Sequence, residues 1–144
     1  TALHDAMVFA LYQLRGIRGR KAIVLLSDGD DTSSLVSYED ALEFARRSGA
    51  AIYAIGLDVG ATKMTIRSKL EKLAAETGGR SYFVAKADEL DGVYSEISRE
   101  LRSQYLLAYQ SSATEDKGFR AVEVRVKVAG SSRLKARTMR GYTP

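Results

Sequence analysis

Residues 21–34 read KAIVLLSDGDDTSS. A basic residue leads into five apolar ones, Ala22 to Leu26, and the run breaks at Ser27-Asp28-Gly29. An unbroken run of aliphatic and β-branched residues is how a strand buried on both faces of a parallel sheet reads. The switch to Asp, Gly, Ser and Thr marks its C-terminal end. In open α/β sheets ligands bind beyond those ends. Asp28 is therefore the first candidate site residue, with Asp30 and Asp31 as acidic neighbours.

Upstream, residues 1–14 space Leu3, Met7, Ala10 and Leu14 as one helical stripe, with Thr1 as N-cap and Gly16 as the stop. Downstream, Ser37 and Asp40 form a capping-box pair that opens a helix over 38–48, ended by Gly49. AAIYAIGL at 50–57 is a second buried strand, residues 64–77 a third helix stopped by Gly78-Gly79, and RSYFVA at 80–85 a third strand. Asp88 is the expected cap of a fourth helix reaching 103, with Leu90, Val93, Tyr94, Ile97 and Leu101 inward. Strands separated by single helices predict right-handed crossovers and a Rossmann-like parallel sheet. The tail changes period. Residues 104–110, 119–128 and 132–142 alternate like half-buried strands, with turns at 115–118 and 130–132. The expected fold is thus α/β: three parallel strands flanked by helices, then a three-stranded antiparallel extension. The division falls at 1–103 and 104–144.

The totals narrow the function. A chain of 144 residues is long enough for one core. Net charge is +4, spread over short basic clusters and accompanied by no nucleic-acid motif. There is no cysteine, which excludes thiol chemistry and cysteine-held metals. No apolar run is long enough for a membrane span. His4 is the single histidine, one turn into a helix, and neither Ser33 nor Ser34 has a base beside it. A Ser-His-Asp relay would have to use that one histidine.

At LLSDGDD the sequence resembles a von Willebrand factor A (VWA) domain. Thr1 of TALHDA resembles the threonine of that family's metal-ion-dependent adhesion site, and Asp28 its strand-end aspartate. AAIYAIGL and GGRSYFVAKADEL resemble the strands and helix that follow. The tail, with YLLAYQ, FRAVEVRVKV and Arg140-Gly141-Tyr142, is similar to the extension of secreted VWA-related proteins of soil bacteria such as acidobacteria. The family's Asp-x-Ser-x-Ser segment and its surrounding strands are not in this sequence; the resemblance implies that they precede Thr1.

The resemblance implies a non-enzymatic module that binds a protein or matrix ligand through Mg²⁺ or another divalent cation. The metal would be held in part by Asp28 and Thr1, with an open position for an acidic group of the partner. It implies secretion or a periplasmic or cell-surface location. Mg²⁺ demands about six oxygens in octahedral array, so one carboxylate and one hydroxyl leave the site incomplete without upstream sequence. The missing strand leaves residues 22–26 with an open edge, which predicts a homo-oligomer, strand swapping or cover by the tail. Two other readings stand beside this one. One is a metal-independent structural or interaction domain; the other is a metal-assisted hydrolase using Asp28, Asp30 and Asp31. Asp58, at the next strand end, is a further candidate for the cleft.

Overall fold

The computed structural model of the chain describes residues 1–28, 30–111, 118–127 and 136–143. Three strands, β1 (Lys21–Ser27), β2 (Ala50–Leu57) and β3 (Ser81–Val84), pair in parallel in the order β1-β2-β3. Ile23 stands opposite Ile52, and Ala54 opposite Ser81. Helices α1 (Leu3–Gln13), α2 (Tyr38–Ser48), α3 (Met64–Thr77) and α4 (Leu90–Arg102) alternate with the strands. The Rossmann-like parallel sheet expected from the sequence is therefore present.

Local chemistry explains most boundaries. The Ser37 hydroxyl oxygen accepts the Asp40 N–H at 3.1 Å and the hydroxyl donates to the Asp40 carboxylate at 2.7 Å. At the other end of α2, Gly49 takes the left-handed conformation, φ 65°, which glycine adopts without a Cβ penalty. The fourth helix differs from expectation. Its chain enters through a 3-10 turn at Ala87–Glu89, and the Glu89 carboxylate, not Asp88, accepts the N–H groups of Ala85 and Lys86.

Strand β2 is the centre of the molecule. Ile52, Tyr53, Ala54 and Ile55 are fully buried, because β2 is paired on both edges and covered on both faces. On one face, α1, α2 and α3 bring Met7, Leu11, Leu42, Leu70 and Leu73 against Leu25 and Ile52. On the other, Val93 and Ile97 of α4 cover Tyr53, Ile55 and Val84. The Tyr53 hydroxyl donates to Glu100 at 3.0 Å and accepts from Gln104 at 3.1 Å. Burial and the Glu100 hydrogen bond push its phenol up to about 12.

Two burial expectations need correction. Strand β1 is not buried on both faces: Leu25 is, but Val24 and Leu26 are 40% and 43% exposed. The single helix on that face, α4, packs mainly over β2 and β3; its cluster reaches β1 at Ala22 and leaves Val24 and Leu26 exposed. Tyr94, expected inward, is 43% exposed. Among the described residues β1 pairs with β2 alone.

The extension is antiparallel, with two short strands among the described residues where three were expected. Strand β4 (Arg120–Ala121) pairs with β5 (Gly141–Tyr142), and Val122 N–H donates to Arg140 O at 2.9 Å. Residues 104–110 join no ladder, and Tyr105 and Leu106 are exposed. Alternation fixes which side chains share a face, but a strand also needs a partner edge. The predicted turn at 130–132 and most of that at 115–118 lie outside the described residues. The C-terminal segment docks on the body: Arg140 reaches Glu76 at 3.4 Å and Arg137 reaches Glu100 at 3.1 Å.

Gly79 is where the backbone of β2 comes closest. A Cβ placed there would lie 2.0 Å from Ile52 O. Gly79→Ala is expected to cost about 3 kcal/mol, since a backbone carbonyl in a paired strand cannot swing aside. In contrast, a Cβ on Gly92 of α4 meets nothing within 4 Å, so Gly92→Ala should stabilise by about 0.5–1 kcal/mol. Urea unfolding of the two variants measures both; equal effects would refute this account of Gly79.

Candidate functional site: the loop beyond β1

The site candidates gather where β1 ends. The loop after it is bound to the start of α1 by a reciprocal set of hydrogen bonds. His4 N–H donates to the Asp31 carboxylate at 2.7 Å and Asp5 N–H to Ser34 Oγ at 3.0 Å. In return, the Asp5 carboxylate accepts Leu35 N–H at 3.0 Å and Val36 N–H at 2.9 Å. Thr32 N–H donates to Thr1 O at 3.0 Å, and the Thr1 nitrogen reaches Thr32 Oγ1 at 3.0 Å.

This changes the role of Thr1. The N-cap position of α1 falls on Ala2, which has no side chain able to cap, and the free N–H groups of the first turn go to Asp31 and Ser34. Asp31, read from the sequence as an acidic neighbour, is the main structural anchor. Its side chain is 7% exposed. It also accepts the Ser34 hydroxyl at 2.6 Å, Ser34 N–H at 2.9 Å and Ser33 N–H at 3.2 Å. Burial pushes its carboxyl up, but the Ser34 hydroxyl and the N–H groups of His4, Ser34 and Ser33 outweigh this and hold it well below the usual carboxylate range. His4 Nδ1 lies 3.4 Å from Asp31 and 3.3 Å from Val36 O.

Asp28 is placed otherwise. It is exposed, and its carboxylate makes no hydrogen bond with any described residue. Its carbonyl accepts Lys63 Nζ at 3.4 Å, and the same ammonium bonds Asp58 O at 3.3 Å. Lys63 thus ties the ends of β1 and β2, a role the sequence did not announce. Asp58 is a non-glycine residue in the left-handed region, φ 53°; its N–H donates to Val84 O at 2.9 Å and its side chain is exposed. Asp30 is exposed. Asp28 and Thr1 share one end of the sheet, through the loop that Thr32 anchors, but no hydrogen bond joins them.

This arrangement of strands, helices and strand-end loop has known counterparts. The model of the von Willebrand factor type A domain matches residues 1–96. The chain belongs to the von Willebrand factor type A family. The solved structure of an uncharacterised membrane spanning protein from Vibrio fischeri is similar at 25% identity, covering 61% of this chain with a TM-score of 0.51. The chain spans 50% of the length of that protein's chain. No curated protein matches. Among the described residues no helix is long and apolar enough to cross a membrane.

The metal that the family implies needs a donor test. Among the described residues no three His, Asp or Glu side chains converge to hold an ion. Asp28 offers one unengaged carboxylate and Thr1 one hydroxyl, which falls short of an octahedral oxygen shell. Among the described residues the donors do not make a complete metal site.

The role of Asp31 has a pH signature. Its folded value lies below the unfolded one near ~3.9. Its contribution is therefore full above about pH 4 and is lost as pH falls through the folded value. Asp31→Asn keeps a carbonyl acceptor but no charge. It should lose about 1–2 kcal/mol at neutral pH and show a shallower fall in stability below about pH 4. Urea titrations at pH 7 and pH 3 test this; an unchanged acid slope would remove Asp31 as its source.

Proposed function

We propose that the chain is a non-enzymatic, protein-binding VWA module whose recognition surface is the loop beyond β1. The observation that carries this is the Asp28 carboxylate, exposed and free of hydrogen bonds among the described residues at a strand end of a VWA fold. A carboxylate left unspent at such an end is available to a ligand. On the same loop Leu35 is 96% exposed, an apolar contact beside a polar one.

Mg²⁺ is the cofactor this reading carries for the full site, with Asp28 and Thr1 as the donors this chain would give it. Bound there, a hard cation would accept an acidic group of the partner. The remaining oxygens would come from water and from outside the described residues. Secretion or a cell-surface location, as in the bacterial VWA-related proteins that the tail resembles, belongs to the same proposal. So does pairing of a second copy or another strand along the open edge of β1.

A hydrolytic reading gains no support from Ser34 and Asp31 of the loop and His4 of α1. In a catalytic relay the histidine stands between serine and aspartate. Here Asp31 stands between Ser34 and His4: the Ser34 hydroxyl donates straight to Asp31 and its oxygen accepts Asp5 N–H.

The test is an array of peptides bearing acidic residues, probed with the complete protein in Mg²⁺ and in EDTA. Some signals should need both the metal and Asp28, and vanish in Asp28→Ala. If none does, the metal-dependent reading gives way to a metal-independent interaction domain. Leu35→Ser should weaken those signals about tenfold while shifting stability by no more than about 0.5 kcal/mol, as measured by thermal unfolding.

A further inference from the structure

We infer that the groove between α3, the free edge of β3 and the C-terminal strands docks an extended, acidic segment of a partner protein. It lies at the other edge and the other end of the sheet from Asp28, and it does not depend on the reading of that loop. Its volume is about 590 Å³, the size of an ordinary ligand pocket.

The first wall is an unused strand edge. Arg80 O accepts from Ala54 N–H of β2, and Val84 O from Asp58 N–H just past its end. By the parity of a parallel ladder, Ser81 and Phe83 then aim their N–H and C=O groups away from β2. Ser81 lines the groove. Among the described residues no strand pairs with this edge. A partner backbone laid along it would meet donors and acceptors at alternate residues, which is how strand addition gains affinity.

Charge selects the occupant. Arg80, Arg137 and Arg140 all line the groove, with side chains 45%, 45% and 65% exposed. Each commits a single nitrogen, Nη1: Arg80 to Glu96, Arg137 to Glu100 and Arg140 to Glu76. A guanidinium has five N–H donors in a planar fork, so Nε and Nη2 of each remain for a carboxylate. The acidic side of the lining is weaker. Glu123 is already held by Arg125 through two bonds of 2.8 and 2.9 Å, which leaves Glu71. Opposite the edge, Val122 and Val124 give an apolar surface for the alternate side chains of an extended segment.

The probe is a fluorescein-labelled eight-residue peptide alternating glutamate and valine, with a lysine–valine counterpart as control. In fluorescence anisotropy the acidic peptide should bind and the basic one should not. The double variant Arg80→Gln, Arg137→Gln should raise its Kd about tenfold, whereas EDTA and Asp28→Ala should leave it unchanged, which separates this site from the loop beyond β1. Arg80→Lys keeps the charge but not the fork and should fall between. In NMR titration of the unaltered chain the Ser81 and Phe83 amides should shift most, a readout that needs no variant to fold. Equal binding of the two peptides, no binding, or shifts confined to other surfaces would overturn the inference.

Discussion

The Asp31 carboxylate holds two separate pieces of chain in one geometry. It takes the His4 N–H at the uncapped start of α1 and the N–H groups of Ser33 and Ser34 in the loop after β1. A negative charge at a helix N-terminus is favoured by the unsatisfied N–H groups and by the helix dipole. The charge is held where water is largely excluded, which strengthens each bond and makes loss of any one costly. Asp5 returns the arrangement by accepting from Leu35 and Val36. The loop beyond β1 is therefore fixed by α1, which leaves Asp28 free to face outward.

Coverage of the sheet sets where the molecule can interact. Three helices pack one face, and one helix packs the other over β2 and β3. The central strand needs both and is fully buried. Both outer strands keep an open edge among the described residues, and β1 keeps Val24 and Leu26 on an uncovered face. Open edges invite pairing. The two edges differ in what flanks them. Beside β1 the exposed groups are apolar and, at its end, acidic; beside β3 they are guanidinium groups with unspent donors. One small sheet thus offers two chemically distinct surfaces, at opposite edges and opposite ends.

The C-terminal segment contributes to the body as well as to the groove. Glu76, nearly buried, sits between Arg46 of α2 and Arg140 of the tail. Glu100 receives both the Tyr53 hydroxyl from the core and Arg137 from the tail. A carboxylate with more than one donor keeps its charge satisfied away from water. Removing either glutamate would release a tail arginine and leave its partner in the body with one contact fewer, Arg46 with Glu43 and Tyr53 with Gln104.

By itself the sequence determined the periodic elements and their order. Helices α2 and α3 and strand β2 run where the apolar spacing placed them, because the signal for each lies within a few residues. The Ser37 cap was legible for the same reason, as donor and acceptor stand three residues apart. Tertiary structure alone decided the Asp31 cap, whose partner His4 is 27 residues away. It also decided the half-exposed state of β1. An apolar run shows that a strand can be buried on both faces, not whether a neighbour is present to bury it. The tail's alternation likewise marked faces, while pairing depended on which backbone lay beside it. Asp28 could be picked out as a strand-end acid, but that its carboxylate is unengaged while the carboxylate three residues on is fully engaged follows only from the fold. Patterns along the chain fix what is local, and contacts between distant segments fix the rest.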